Sequence, residues 1–191
     1  MTIEWEGYEP YDPGAFGRLQ DLPRAVARQV FMRRMEAKSA RIEMLGRLLK
    51  ANGVELGTDD GSIQGLNDWF VARVEADPQQ PGRLTPIWYS VVHDVALFLG
   101  EVMIERHPHL YWEFFTWGRK NVAFQRHVIM GFSTEDPKFH TNIDIDRWVA
   151  QYAHGIIEAR GSIPTYDIVD VRGVKIDVDA VAADHRWREI D

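Results

Sequence analysis

Three acidic side chains, Asp94, Glu101 and Glu105, recur at helical spacing in an otherwise apolar stretch, and His93 stands beside the first of them. Carboxylates gathered with an imidazole are the material of general acid/base hydrolysis or of a metal-binding face. This group is the candidate cleft of a hydrolase. A plainer account competes with it, in which the stripe is solvated or forms ion pairs to Arg34, Lys38 or Arg41. Burial of an unpaired charge is costly, so some partner or water is required in either case. Helical spacing alone favours the plainer account.

The other histidines add little chemistry. His107-Pro108-His109 lies near Glu105, but the proline removes the helical i,i+4 geometry, and no His-Glu-x-x-His motif occurs. Two solvated imidazoles on a loop rim are several times more common than such a site. The chain has no Cys, which excludes disulfides, thiolate metal sites and Cys nucleophiles and fits a reducing compartment. There is no Gly-x-Ser-x-Gly, no P-loop and no Gly-x-Gly-x-x-Gly. The turn Gly57-Thr58-Asp59-Asp60-Gly61 has acids where a phosphate needs bare amides, and it lacks the alternating oxygens and closing Glu of a calcium loop. No catalytic residue, metal ligand set or cofactor is therefore assigned.

The formal charge is −7, unevenly spread over 191 residues. Glu4, Glu6, Glu9 and Asp12 stand without a Lys or Arg in residues 1–17. Residues 18–50 carry nine basic side chains against Asp21, Glu36 and Glu43. A basic helix over 23–50 could meet nucleic acid, but its cations point in several directions and the whole chain is acidic, which argues against that partner.

These groups need elements to hold them. An apolar fraction of 45% with 7 Trp, 9 Phe and 6 Tyr supports a packed core. Residues 1–17, rich in Tyr, Pro and Gly, read as an extended arm lying on its own domain, with exchange between subunits as the alternative. Helices are expected over 23–50, closed by Asn52-Gly53, over 62–76, and over 85–106 with Thr85-Pro86 opening and Pro108 stopping the helix. The third is apolar almost all round and so is expected to be central, with Gly100 admitting a close neighbour. Residues 77–82 read as a loop. Strands over 110–117 and 122–132 form a hairpin around Gly118, a loop follows over 134–140, and a fourth helix covers 143–160. A short strand pair is expected over 166–178 and a frayed tail over 179–191. The sum is one α+β domain, four main helices packed on a small antiparallel sheet.

The N-terminus has no basic start and no apolar run of a signal peptide, and no 18-residue window is free of charge, so a soluble, cytoplasmic chain without a membrane span is expected.

The hairpin carries the second candidate site. Tyr111, Trp112, Phe115 and Trp117 cannot all point inward, because neighbours on a strand alternate sides. One face could offer aromatic anchors to a protein partner or to a second copy; coverage by helices or by the arm is equally weighted.

Leu99-Gly100-Glu101, Trp112 and Met130-Gly131-Phe132, within residues 94–157, resemble small uncharacterised bacterial domains, some of them similar to immunity or partner-binding proteins. The resemblance implies an α+β fold with the third helix against a sheet, and a non-enzymatic, partner-binding role. It transfers no catalytic residue.

Overall fold

The computed structural model describes residues 2–15, 17–133 and 141–162. The strand pair expected over 166–178, the tail over 179–191 and the loop over 134–140 lie outside the described residues.

Among the described residues, four helices and two separate two-stranded antiparallel sheets make an α+β fold. After a 3-10 turn at Leu19–Asp21, α1 runs unbroken over Arg24–Ala51. It closes where Gly53, at φ +77°, donates to the Lys50 carbonyl and Val54 to that of Leu49, satisfying carbonyls that the helix leaves open. Helix α2, Asp60–Arg73, starts two residues earlier than its apolar spacing suggests. The reason is Asp59, whose carboxylate accepts from the Ser62 amide at 3.0 Å and caps the helix. The two acids of that turn thus begin a helix.

Residues expected as a loop instead form a small hairpin, β1 at Ala76–Asp77 and β2 at Gln80–Leu84. The Pro and Gly that suggested a loop sit in an exposed edge strand, where a missing donor is tolerated. Helix α3, Pro86–Arg106, has the expected bounds. It is long and apolar enough to cross a membrane by composition, yet 72% of that span is buried within the protein. Trp88, Val91, Ala96, Leu97 and Val102 are wholly inaccessible.

The second hairpin is shorter than its apolar alternation implies. Strand β3, Tyr111–Phe114, pairs with β4, His127–Met130, with Trp112 opposite Ile129. The stretch expected to open the return strand is a chain of turns, in which the Asn121 side chain accepts from the Ala123 amide and Gln125 takes φ +61°. Helix α4 spans Ile145–Ser162. It begins after the expected start because Ile143 is drawn into a bridge with Ile129, the two exchanging backbone bonds at 2.9 and 3.0 Å.

Contacts divide the residues into two units. One takes in the arm up to Tyr11, Ser39–Leu97 and the described chain from Asp146. Its centre is Trp88, ringed by Trp5, Trp69 and Phe70 with centroids 5.5–5.9 Å away. Tyr152 of α4 stacks on Phe70 and donates to Asn67 at 2.8 Å. The other unit takes in Asp12–Lys38 and Phe98–Ile145. It holds a small core of Phe115, Ala123, Val128 and Met130, with Phe31 against Phe114.

Candidate functional site

In the first unit, α1 brings Arg41 and α3 brings Asp94 together in a buried ion pair. Asp94 has no exposed surface, and its oxygens accept from Arg41 Nε at 2.8 Å and Nη2 at 2.6 Å. Tyr8 of the arm donates its hydroxyl to the same carboxylate at 2.5 Å and accepts from Arg41 Nη2 at 3.1 Å. Arg41 Nη1 reaches the Glu9 carbonyl at 2.8 Å and the Met44 sulfur at 3.2 Å. Every N–H of the guanidinium therefore has an acceptor, the condition under which a buried charge is tolerable.

The titrations follow from this packing. Burial, then the charge and hydrogen bond of Asp94, push the Tyr8 phenol far above its ordinary value, with Arg41 opposing. Burial works against the charge on Arg41, but Asp94 and then Tyr8 outweigh it and hold the guanidinium more firmly protonated. His93 sits at the rim, its Nδ1 3.1 Å from Asp94 and its ring stacked on Tyr11 at 4.0 Å. Tyr11 donates its amide to the Ser90 hydroxyl at 2.9 Å. Among the candidate cleft residues, His93 and Asp94 are thus brought together, beneath the arm.

Glu101 and Glu105 belong to the other unit. Glu101 meets Lys38 at 2.6 Å and accepts from the Trp112 indole at 2.8 Å. Glu105 is exposed. His107 and His109 stack edge to face on the loop after α3, ring centroids 5.9 Å apart. Among the described residues, no three His, Asp or Glu side chains gather as metal ligands.

The four hairpin aromatics fall into two classes. Phe115 is buried, and Trp112 is half-buried against α3, where a Cβ on Gly100 would come 2.2 Å from the indole Cζ2. Gly100 thus admits the Trp112 ring. Tyr111 and Trp117 are exposed, at 50% and 54%. Val122, in the same connection, is exposed at 57%, where alternation along the sequence would have placed it in a strand.

That connection is firmly held beneath its exposed side chains. Phe115 and Arg126 are joined by a backbone bond at 2.9 Å, and Gln125 donates its amide to Phe115 at 2.7 Å. Gln125 Nε2 donates to the Leu19 and Leu22 carbonyls at 2.8 and 2.9 Å, and Gln20 Nε2 to that of Val122 at 2.9 Å. Arg126 is paired with Asp144. Arg119 and Lys120 project at the tip, both exposed. Nothing in the chain between Phe114 and Thr134 is acidic.

No family model matches this chain, and no curated protein or solved structure matches it.

Proposed function

We propose that this chain is a non-catalytic partner-binding protein whose contact surface is the connection between β3 and β4, and that it engages an acidic patch on another protein. The observation that carries the reading is Trp117, half-exposed in a connection whose backbone is hydrogen-bonded on either side of it, at Phe115 and at Gly118. An aromatic anchor presented on a pre-ordered loop loses little entropy on binding, and such residues dominate interface energies. Val122 widens the apolar contact, while Arg119 and Lys120 give it a positive rim in a chain whose net charge is −7. Electrostatic complementarity then selects an acidic partner and speeds encounter.

A hydrolytic reading draws less support, because both oxygens of Asp94 are taken by Arg41 and Tyr8. A nucleic-acid reading draws less as well, because Arg34 and Arg41 of the basic helix are buried and Lys38 is paired with Glu101.

Affinity capture from the native cell with wild type, Trp117→Ser and Arg119→Glu/Lys120→Glu tests the proposal. A specific partner should be held by wild type, released by either variant and weakened as salt rises. Retention of the same partner by both variants, with their melting unchanged, overturns it.

A further inference from the structure

Asn52 closes α1 and at the same time holds the arm. Its Oδ1 accepts from the Glu4 amide at 3.2 Å, and its Nδ2 donates to the Glu4 carbonyl at 2.9 Å and to the Leu48 carbonyl at 2.8 Å. The arm thus supplies partners to both ends of the carboxamide. Arm, Asn52 and the end of α1 belong to the same unit. Ile3 and Tyr8, on either side of Glu4 in the chain, are buried and seat the arm there.

The residue after Asn52 is Gly53, whereas the other asparagines precede Asp68, Val122 and Ile143. An asparagine before glycine is the pair most open to ring closure, because no side chain hinders the following amide nitrogen from reaching the carboxamide carbon. Gly53 is exposed, so water reaches the pair. Closure requires the Asn52 side chain to leave Glu4 and Leu48, and the Gly53 nitrogen to leave the Lys50 carbonyl at 3.1 Å. The arm is what holds the side chain back.

We infer that Asn52-Gly53 is a site of deamidation whose rate is set by the arm and whose product releases the arm. The Gly53 nitrogen bonds to Asn52 Cγ and gives up its proton. The Cγ–Nδ2 bond breaks, and the nitrogen departs with that proton as ammonia. Water then opens the five-membered imide at either carbonyl, leaving aspartate or isoaspartate at position 52. Either product is a carboxylate with no donor for the Glu4 and Leu48 carbonyls, which it faces as a third acceptor. It also sets a negative charge at the C-terminus of α1, where the helix dipole opposes it. Isoaspartate further lengthens the main chain inside the turn that returns Gly53 to Lys50 and Val54 to Leu49. Release of the arm takes the Tyr8 hydroxyl away from Asp94. The inference does not depend on the hairpin surface.

Incubation of the full chain in mildly alkaline buffer, followed by peptide mass mapping, tests the first half. Glu4→Pro removes the amide that Asn52 Oδ1 accepts, and Ile3→Ser loosens the arm at another anchor. Both should convert at Asn52 about tenfold faster than wild type, the scale set by the hydrogen bonds lost, while Asn67, Asn121 and Asn142 stay unchanged. Asn52→Asp, the product made genetically, tests the second half. Hydrogen exchange should quicken at the Tyr8 and Tyr11 amides, which donate to the Trp5 carbonyl and the Ser90 hydroxyl, while the amides of α3 stay protected. The inference is overturned if both arm variants convert at the wild-type rate, or if the arm amides of Asn52→Asp exchange as slowly as those of wild type.

Discussion

Arg41 and Asp94 close on one another as a fork, Nε on Oδ1 and Nη2 on Oδ2, with the carboxylate wholly withdrawn from water. The pair joins two helices, and a third segment, the arm, seals it through Tyr8. Desolvating two charges costs several kcal/mol, roughly offset by their attraction only when the remaining donors are satisfied. Here they are, by Glu9, Met44 and Tyr8. Removal of one member is therefore expected to cost far more than removal of both.

Arg41→Ala should destabilise the protein by about 3–5 kcal/mol, because Asp94 is left charged and buried. Arg41→Met/Asp94→Leu should cost clearly less than the single change, since no charge remains to be desolvated. Urea titrations of the three chains measure this. A double variant weaker than Arg41→Ala would show that the fork contributes net stability beyond neutralising itself.

Tyr8 gives the fold an alkaline limit. Its phenol is raised above the ordinary 10.0, by burial first and then by Asp94. Below that pH both folded and unfolded chains keep the proton, and the contribution of the group is fully present. Above it the unfolded chain releases the proton while the folded chain retains it, so stability falls as pH rises, by about 1.4 kcal/mol per pH unit for one such group. The phenol of Tyr152, raised by burial against an opposing hydrogen bond with Asn67, adds a loss of the same sign. Tyr8→Phe should therefore give a shallower fall between pH 10 and pH 11.5. Denaturant midpoints across that range decide it, and identical slopes for the two chains would refute the assignment.

How far this was legible in the sequence depends on whether the signal is local. Thr85-Pro86 and His107-Pro108 bracket α3 because proline's fixed φ and missing N–H act within one turn. Gly53 ends α1 for an equally local reason. The pairing of Tyr8 with Asp94 spans 86 residues and leaves no mark in spacing. Arg41 and Lys38 are among the cations that the sequence offers the acidic stripe, but which carboxylate each meets follows only from packing. The segment 122–126 reads as strand by alternation, and the turn there is made by the Asn121 carboxamide and by Gln125, whose left-handed backbone is unusual for that residue. Exposure of Trp117 with burial of Phe115 reflects where β3 stops, at Phe114, beyond which the alternation rule no longer applies.

Gly100→Ala tests the approach of Trp112 to α3. Alanine would raise helix propensity by about 1 kcal/mol, but its Cβ would stand 2.2 Å from a rigid indole. The ring is held by its bond to Glu101 and lies 5.8 Å from the Arg34 guanidinium, so it has little room to yield. Gly100→Ala is expected to destabilise by roughly 1–3 kcal/mol, as overpacking does. In a Trp112→Leu background the same change should become neutral or favourable. A thermal-melt double-mutant cycle reads the coupling, and an equal loss in both backgrounds would place the cost elsewhere.

Gln125 supports the exposed connection in two ways that substitutions can separate. Its backbone occupies φ +61°, and its buried carboxamide donates to Leu19 and Leu22. Gln125→Ala loses both bonds and keeps the left-handed strain. Gln125→Gly loses the same bonds and is at ease at that φ. The glycine variant should therefore be the more stable of the two by about 1 kcal/mol, a reversal of the usual order, in which alanine is favoured by its smaller backbone entropy. Both should fall below wild type by about 1–3 kcal/mol for the unsatisfied carbonyls. Hydrogen exchange of the Phe115 and Gln125 amides, with urea midpoints, reports the ranking. An alanine variant more stable than the glycine one would mean that the connection relaxes away from the left-handed turn, and Trp117 would then lose the rigid footing on which its role as an anchor depends.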